Sequence, residues 1–306
     1  MIQSIINKLY RYPKARLKRV NKFGGYFAYK KMMRNQASMA KASSQLPPVI
    51  SYTDGLPVYF LTGEKFIYQT LFCIQSLNKH STQKFRFILV DDGSLSGQLI
   101  ARINKQLPGA TVITKATIDK NLEKHLPEYN YPVLRRKRAE YPHIKKLIDI
   151  HTTDATGWKL VLDSDMLFFD DPLAISNWIK SPAKPLHMID CEESYGYSHQ
   201  LMEQLCGCKV PALINVGAIG MDSQAINWDN LENWVKILEE KEGRSYYLEQ
   251  ALSAMLIAGH ECLVLEKDQY IVNPSEHMIS SAQGVLHHYV DLSKKGYFNQ
   301  AWQKIV

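Results

Sequence analysis

The sequence predicts an α/β fold built on a parallel sheet. Short apolar runs alternate with apolar residues at helical spacing, turn residues separate them, and one apolar run opens directly into two acidic residues. Val58-Tyr59-Phe60-Leu61 reads as the first buried strand, Thr62-Gly63-Glu64 as a turn, and Ile67, Leu71, Ile74 and Leu77 as the buried stripe of a helix. Phe87-Ile88-Leu89-Val90, Asp91-Asp92-Gly93-Ser94 and the helical series Leu99, Ile103 and Leu107 repeat that plan. Pro108-Gly109 closes the helix and Val112-Ile113 begins a third strand. Leu160-Val161-Leu162 has no polar interruption, as expected of a central strand covered on both faces, and runs into Asp163-Ser164-Asp165. Beyond it, Leu231, Trp234, Val235 and Leu238 mark one helix, Tyr247, Leu248, Ala251, Leu252 and Met255 a second, and Val285 to Val290 a last strand. Parallel strands joined by right-handed crossovers bind ligands beyond their carboxyl ends, which directs attention to acidic residues placed there.

A chain of 306 residues with 45% hydrophobic content can bury a sizeable core. Its net charge of +7 is concentrated at one end: eleven of the 37 Lys and Arg residues precede Asp54, the first acidic residue, leaving 26 basic against 30 acidic residues in the remainder. The chain therefore divides into a basic N-terminal arm, residues 1–50, and a near-neutral body, residues 51–306, a distribution that gives no reason to expect nucleic acid as a partner. Within the arm, Ile2 to Tyr10 reads as a short amphipathic helix, followed by Arg11, Lys14, Arg16, Lys18, Arg19 and Lys22, and Leu46-Pro47-Pro48 marks the boundary. Two readings stand for residues 1–48, a solvated leader or attachment to an anionic membrane surface, with Tyr10, Phe23, Tyr26 and Phe27 suited to either. With no apolar run of about 18 residues and no secretory signal pattern, the expected location is the cytoplasm, peripheral at the inner face of the membrane if the arm attaches there. The five cysteines are odd in number and lack CxxC spacing, which argues against a disulfide framework or zinc site.

Asp163 and Asp165, two apart at a strand end, can turn both carboxylates to one side and offer hard oxygen ligands to a divalent cation. Magnesium or manganese is commonly held by one or two carboxylates together with substrate phosphates.

Leu162-Asp163-Ser164-Asp165-Met166-Leu167-Phe168 and the landmarks from Val58 to Gly296 resemble glycosyltransferase family eight, retaining enzymes that include bacterial lipopolysaccharide galactosyltransferases and glycogenin. The resemblance implies a GT-A (Rossmann-like) fold, a mixed, mainly parallel sheet flanked by helices. It also implies Mn2+ (or Mg2+) as cofactor, a nucleotide-sugar donor of the UDP-sugar type, and a glycan or glycolipid acceptor. His288-Tyr289-Val290-Asp291-Leu292-Ser293-Lys294 resembles the family's His-Tyr-x-Gly-x-x-Lys stretch, which makes His288 the third metal ligand beside Asp163 and Asp165 and Lys294 a diphosphate contact. Asp291 stands where the family has glycine. Lys146 occupies the place of a family arginine near the sugar nucleotide, with loss of bidentate geometry. Asn215-Val216-Gly217 resembles the Asn-x-Gly segment near the acceptor and transferred sugar, and Glu249-Gln250 the Asp-Gln pair of the catalytic cleft, Glu249 being a second departure. Val90-Asp91-Asp92-Gly93-Ser94 instead resembles the nucleotide-binding turn of family two, with Asp92 the contact to base or ribose, although turn chemistry also explains it.

Alternatives remain at this stage. An inverting family-two-like glycosyltransferase would share the fold and need a carboxylate base. A sugar nucleotidyltransferase would need a glycine-rich phosphate loop, which Thr62-Gly63-Glu64-Lys65 barely offers. A non-catalytic sugar- or membrane-binding relative would accommodate both departures.

Overall fold

The structure is a computed structural model that describes residues 12–154 and 157–306. The helix expected over Ile2 to Tyr10 lies outside the described residues. Among the described residues ten strands form two sheets. The larger takes β1 (Leu56–Thr62), β2 (Phe85–Asp91), β3 (Thr111–Ile113), β4 (Trp158–Leu162), β6 (Leu186–Ile189), β7 (Ile214–Asp222) and β8 (Leu263–Val264) in the order β3-β2-β1-β4-β7-β6-β8. Only β7 runs against its neighbours, so the sheet is mixed and mainly parallel, as expected. The smaller sheet, β5 (Met166–Phe168), β10 (Leu286–His288) and β9 (Tyr270–Val272), hangs from the end of β4.

Alternation along the central strands builds the core on both faces. Val58, Phe60, Phe87, Leu89, Leu160 and Leu162 enter one buried cluster, while Tyr59, Ile88, Val90 and Val161 enter the cluster on the opposite face. Helices Ile67–His80 and Leu173–Lys180 supply the first cluster, and helices Lys145–Thr152, Trp228–Glu242 and Leu248–Ile257 the second. The charge run Arg135 to Arg138 lies on helix Pro132–Glu140, and all of it but the exposed Arg136 is spent on packing. Arg135 bonds Glu123 at 2.7 Å, Lys137 bonds Glu239 at 2.5 Å, and Arg138 grips the buried carboxylate of Asp149 at 2.5 and 2.9 Å. All five cysteines are free thiols.

The described part of the arm forms helices Tyr12–Lys22 and Tyr26–Ala42, separated by Gly24 and Gly25 at φ of 90° and 91°. The second helix is built into the body. Met32 and Met39 are buried in the first core cluster, Asn35 bonds Asn299 at 2.9 Å, and Gln36 donates to the hydroxyl of Tyr68 at 2.8 Å. No helix among the described residues is long and apolar enough to cross a membrane.

Candidate active site

Asp163-Ser164-Asp165 is the link between the two sheets, and strand register assembles the site around it. Leu162 pairs with Ala218 across β4 and β7, and the Asp163 N–H donates to the Gly217 carbonyl at 2.7 Å, which sets Asn215 and Gly217 beside Asp163. His288 pairs with Met166 across β10 and β5, and the Tyr289 N–H donates to the Asp165 carbonyl at 3.0 Å, which sets His288 beside Asp165. Ser164 is tied down below, its hydroxyl 2.8 Å from that of Thr70, which lies 2.7 Å from that of Thr62.

Carboxylate oxygens of Asp163 and Asp165 and a ring nitrogen of His288 all lie within 4.8 Å of one another. Nε2 of His288 stands 3.6 Å from Asp163 and 3.5 Å from Asp165. Its other nitrogen, Nδ1, is 3.0 Å from Oδ1 of Asn215, which also accepts the Gly217 N–H at 2.9 Å, while Nδ2 of Asn215 donates to Asp190 at 3.1 Å. Because Asp190 needs a donor and Gly217 an acceptor, the amide orientation is fixed, and Nδ1 of His288 must carry the proton it shares with Oδ1. Nε2 is then the nitrogen that faces both carboxylates, and it is the ring atom available to a cation placed among the three. Two carboxylates and an imidazole oriented by an amide are a donor set that fits manganese or magnesium. Gly217 is required sterically: a Cβ there would meet His288 Nδ1 at 2.3 Å.

Two lysines flank the carboxylates. Lys294 pairs with Asp165, whose carboxyl burial alone would raise, but Lys294 and His288 together hold it far below the usual carboxylate range. Lys146, buried on helix Lys145–Thr152, donates to Asp163 and to the Val216 carbonyl, both at 3.0 Å, and stands 3.6 Å from Glu249. Burial acts to lower its pKa, but Asp163 and Glu249 outweigh it and hold the ammonium above its ordinary value. Glu249 is itself buried in the first turn of helix Leu248–Ile257, and desolvation, partly opposed by Lys146, pushes its carboxyl up to about 7.

Gln250 donates both amide hydrogens, to Asp190 and to the Ile214 carbonyl, each at 2.9 Å, leaving its carbonyl oxygen as the available polar atom. Asp190 thus holds Asn215 and Gln250 at once and accepts the Cys191 N–H at 2.7 Å through its other oxygen. It was not singled out from the sequence, yet it directly follows β6, the signal that selected Asp163. His287 takes the opposite face of β10, its Nε2 2.6 Å from the Gln283 carbonyl, with burial lowering its pKa to about 4.

The two departures from the resembled family have physical accounts. Asp291 adopts φ of 45°, the left-handed conformation that favours glycine and that Asp tolerates better than most residues, and its carboxylate is paired with Lys22 of the arm. The longer side chain of Glu249 spans to Lys146. Asp92 stands apart from this cluster. Its carboxylate accepts from the N–H and hydroxyl of Ser94 at 3.0 and 2.5 Å and packs against Gly63, where a Cβ would lie 2.0 Å from it.

No family model matches the chain, and no curated protein sequence matches it. Solved structures do. The galactosyltransferase LgtC in complex with donor and acceptor sugar analogues is similar at 13% identity over 81% of this chain and 95% of that one, with TM-score 0.49. Mouse xyloside xylosyltransferase 1 is similar at 13% identity over 78% and 97%, with TM-score 0.49. The bifunctional glycosyltransferase WbbM is similar at 11% identity over 85% of this chain and 52% of that one, with TM-score 0.48. Similarity of this degree leaves the chemistry to be read from the side chains themselves.

Proposed function

We propose that this chain is a GT-A type glycosyltransferase that moves a sugar from a nucleoside-diphosphate donor, a UDP-sugar, to a hydroxyl of a glycan or glycolipid, with retention of anomeric configuration. The observation that carries the reading is the convergence of Asp163, Asp165 and Nε2 of His288 at the carboxyl end of β4, with Lys146 and Lys294 on either side.

The chemistry is cleavage of the bond between the anomeric carbon and the diphosphate oxygen, with the new bond formed to the acceptor oxygen, whose proton passes to the departing diphosphate. Asp163, Asp165 and His288 would hold a divalent ion, which would supply Lewis-acid neutralisation of a departing diphosphate. Asn215 and Asp190 hold the His288 ring in the orientation that presents Nε2. Lys294 and Lys146 provide fixed positive charge beside the developing negative charge, the preorganisation that contributes most in such sites. The carbonyl oxygen of Gln250, its amide hydrogens already engaged, is suited to the electron-poor sugar ring, and Glu249 contributes through Lys146. Asn215 and Gly217 shape the floor next to the transferred sugar.

Retention is favoured over inversion because the nearby carboxylates of the cleft, the candidates for a base, are occupied. Asp190 accepts three N–H groups, and Glu249 is buried against Lys146. The nucleotidyltransferase reading is disfavoured because Gly63, the glycine of the first loop, makes room for Asp92. Asp92 enters only as an edge contact to the donor base.

The test is thermal stabilisation and donor hydrolysis with a panel of UDP-, GDP-, CMP- and dTDP-sugars, with and without manganese. One donor should stabilise the protein and be hydrolysed in a manganese-dependent way, with both effects lost in Asp165→Asn. No response to any donor would overturn the reading in favour of a non-catalytic relative, and release of pyrophosphate would revive the nucleotidyltransferase.

A further inference from the structure

The two arm helices separate their side chains by environment. Helix Tyr26–Ala42 turns Met32 and Met39 into the core, and presents Phe27, Lys30, Lys31 and Arg34 outward along one face, with Lys41 seven residues beyond Arg34 on the same face. Phe27 is 86% exposed and Tyr26 58% exposed, their rings edge to face at 5.6 Å just after the Gly24-Gly25 break. Leu17, 60% exposed, lies beside Lys18 and Arg19 on helix Tyr12–Lys22, and Met33 is also exposed. Phe23, by contrast, packs with Tyr29 against the core.

Charge on this face is uncompensated. Among the described residues Lys18, Arg19, Lys30, Lys31 and Arg34 have no carboxylate partner, and their two helices contain no acidic residue, whereas unpaired lysines such as Lys236 and Lys241 share helix Trp228–Glu242 with several acidic residues. An exposed aromatic pair and aliphatic side chains among unpaired cations match a bilayer interface. Rings settle at headgroup depth, aliphatic groups reach the acyl boundary, and cations meet anionic headgroups. A soluble polyanion would satisfy the charges and give Leu17, Phe27 and Met33 nothing.

We propose that Leu17, Tyr26, Phe27, Lys30, Lys31 and Arg34 form a docking surface for an anionic lipid bilayer. The surface is joined to the candidate site, since Lys22 pairs with Asp291, Asn35 bonds Asn299, and both partners flank the segment that carries Lys294. It is independent of the transfer chemistry, so the test reads binding and not activity.

The full chain is floated with vesicles of phosphatidylcholine alone and of phosphatidylcholine with phosphatidylglycerol. Flotation is expected with the anionic vesicles only and should weaken with added salt. The double variant Lys30→Glu, Lys31→Glu should lose at least about tenfold in partitioning, and Phe27→Ser should lose about threefold, with thermal melts like that of the parent. Lys236→Glu, Lys241→Glu, on helix Trp228–Glu242, makes the same change of net charge away from the arm and should float as the parent does. The proposal is overturned if the parent does not float, if it floats equally with neutral vesicles, if the arm variants float undiminished, or if the control pair loses as much.

Discussion

Two strands of the large sheet end in paired acids at the same edge, and the pairs have opposite fates. After β2, the carboxylates are consumed within four residues. Asp91 accepts the N–H groups of Gly93 and Leu95 at 2.8 and 3.0 Å, and Asp92 the N–H and hydroxyl of Ser94. After β4, Asp163 and Asp165 find side chains far away in sequence, Lys146, His288 and Lys294. A carboxylate satisfied by its own turn stabilises that turn; one held open by remote cations is available to a ligand. The same pattern separates Arg135, Lys137 and Arg138, closed into pairs with acidic partners of the scaffold, from Lys146 and Lys294.

The sharpest test of this contrast is a matched pair of substitutions. Asp165→Asn should cost on the order of a hundredfold to a thousandfold in manganese-dependent turnover while leaving the circular dichroism spectrum intact. Asp91→Ala should instead cost about 1–2 kcal/mol of stability, measured by denaturant unfolding, and preserve manganese-dependent donor stabilisation. Equal losses of turnover in both variants would erase the distinction between the two acid pairs.

Gly217→Ala probes the same cluster from the backbone side. The added methyl collides with the imidazole of His288 and with Oδ1 of Asn215, both buried and unable to retreat far. A manganese affinity lower by about tenfold to a hundredfold is expected, read by calorimetric titration, because the ring must leave its orientation. Unchanged affinity would remove His288 from the ligand set.

Much of this was legible in the sequence, and the reasons differ by element. The central strands were readable because burial on both faces leaves an apolar run without alternation, and Asp163 and Asp165 because they interrupt it. The seven-stranded order was not, since the reversal of β7 depends on pairings with β4 and β6 that no local pattern encodes. Asp190 went unnoticed although it also ends a strand, because Leu186-His187-Met188-Ile189 contains a histidine and looks less like a core run. The docking of helix Tyr26–Ala42 was hidden by its many cations. Only Met32 and Met39 on the inner face betray it, and long basic side chains leave such a helix polar on average.

Asp190→Asn tests whether holding Asn215 and Gln250 together is a positioning role. The fold should survive, because Asn retains an acceptor oxygen. Turnover should fall by on the order of ten to a hundredfold from misplacement of Gln250, while manganese affinity changes less than in Gly217→Ala. A fall in manganese affinity matching that of Gly217→Ala would reassign Asp190 to support of His288 alone.

Glu249 supplies the smallest effect and a test of sign. Its folded carboxyl titrates near 7 against an ordinary value of 4.5, raised by burial although Lys146 pulls the other way. Folding therefore favours the protonated form, so this group's contribution to stability is complete below pH 4.5 and is lost as pH rises through 7. Asp165, held below its ordinary value by Lys294 and His288 against burial, works in the opposite sense and loses its contribution only as pH falls into the acid range. In chelator, wild type should lose up to about 3 kcal/mol relative to Glu249→Gln between pH 4.5 and 8, followed by urea unfolding at each pH. A stability difference that stays flat across that window would mean that Glu249 is ionised throughout. It would then be a permanent partner of Lys146, and the third fixed negative charge of the site.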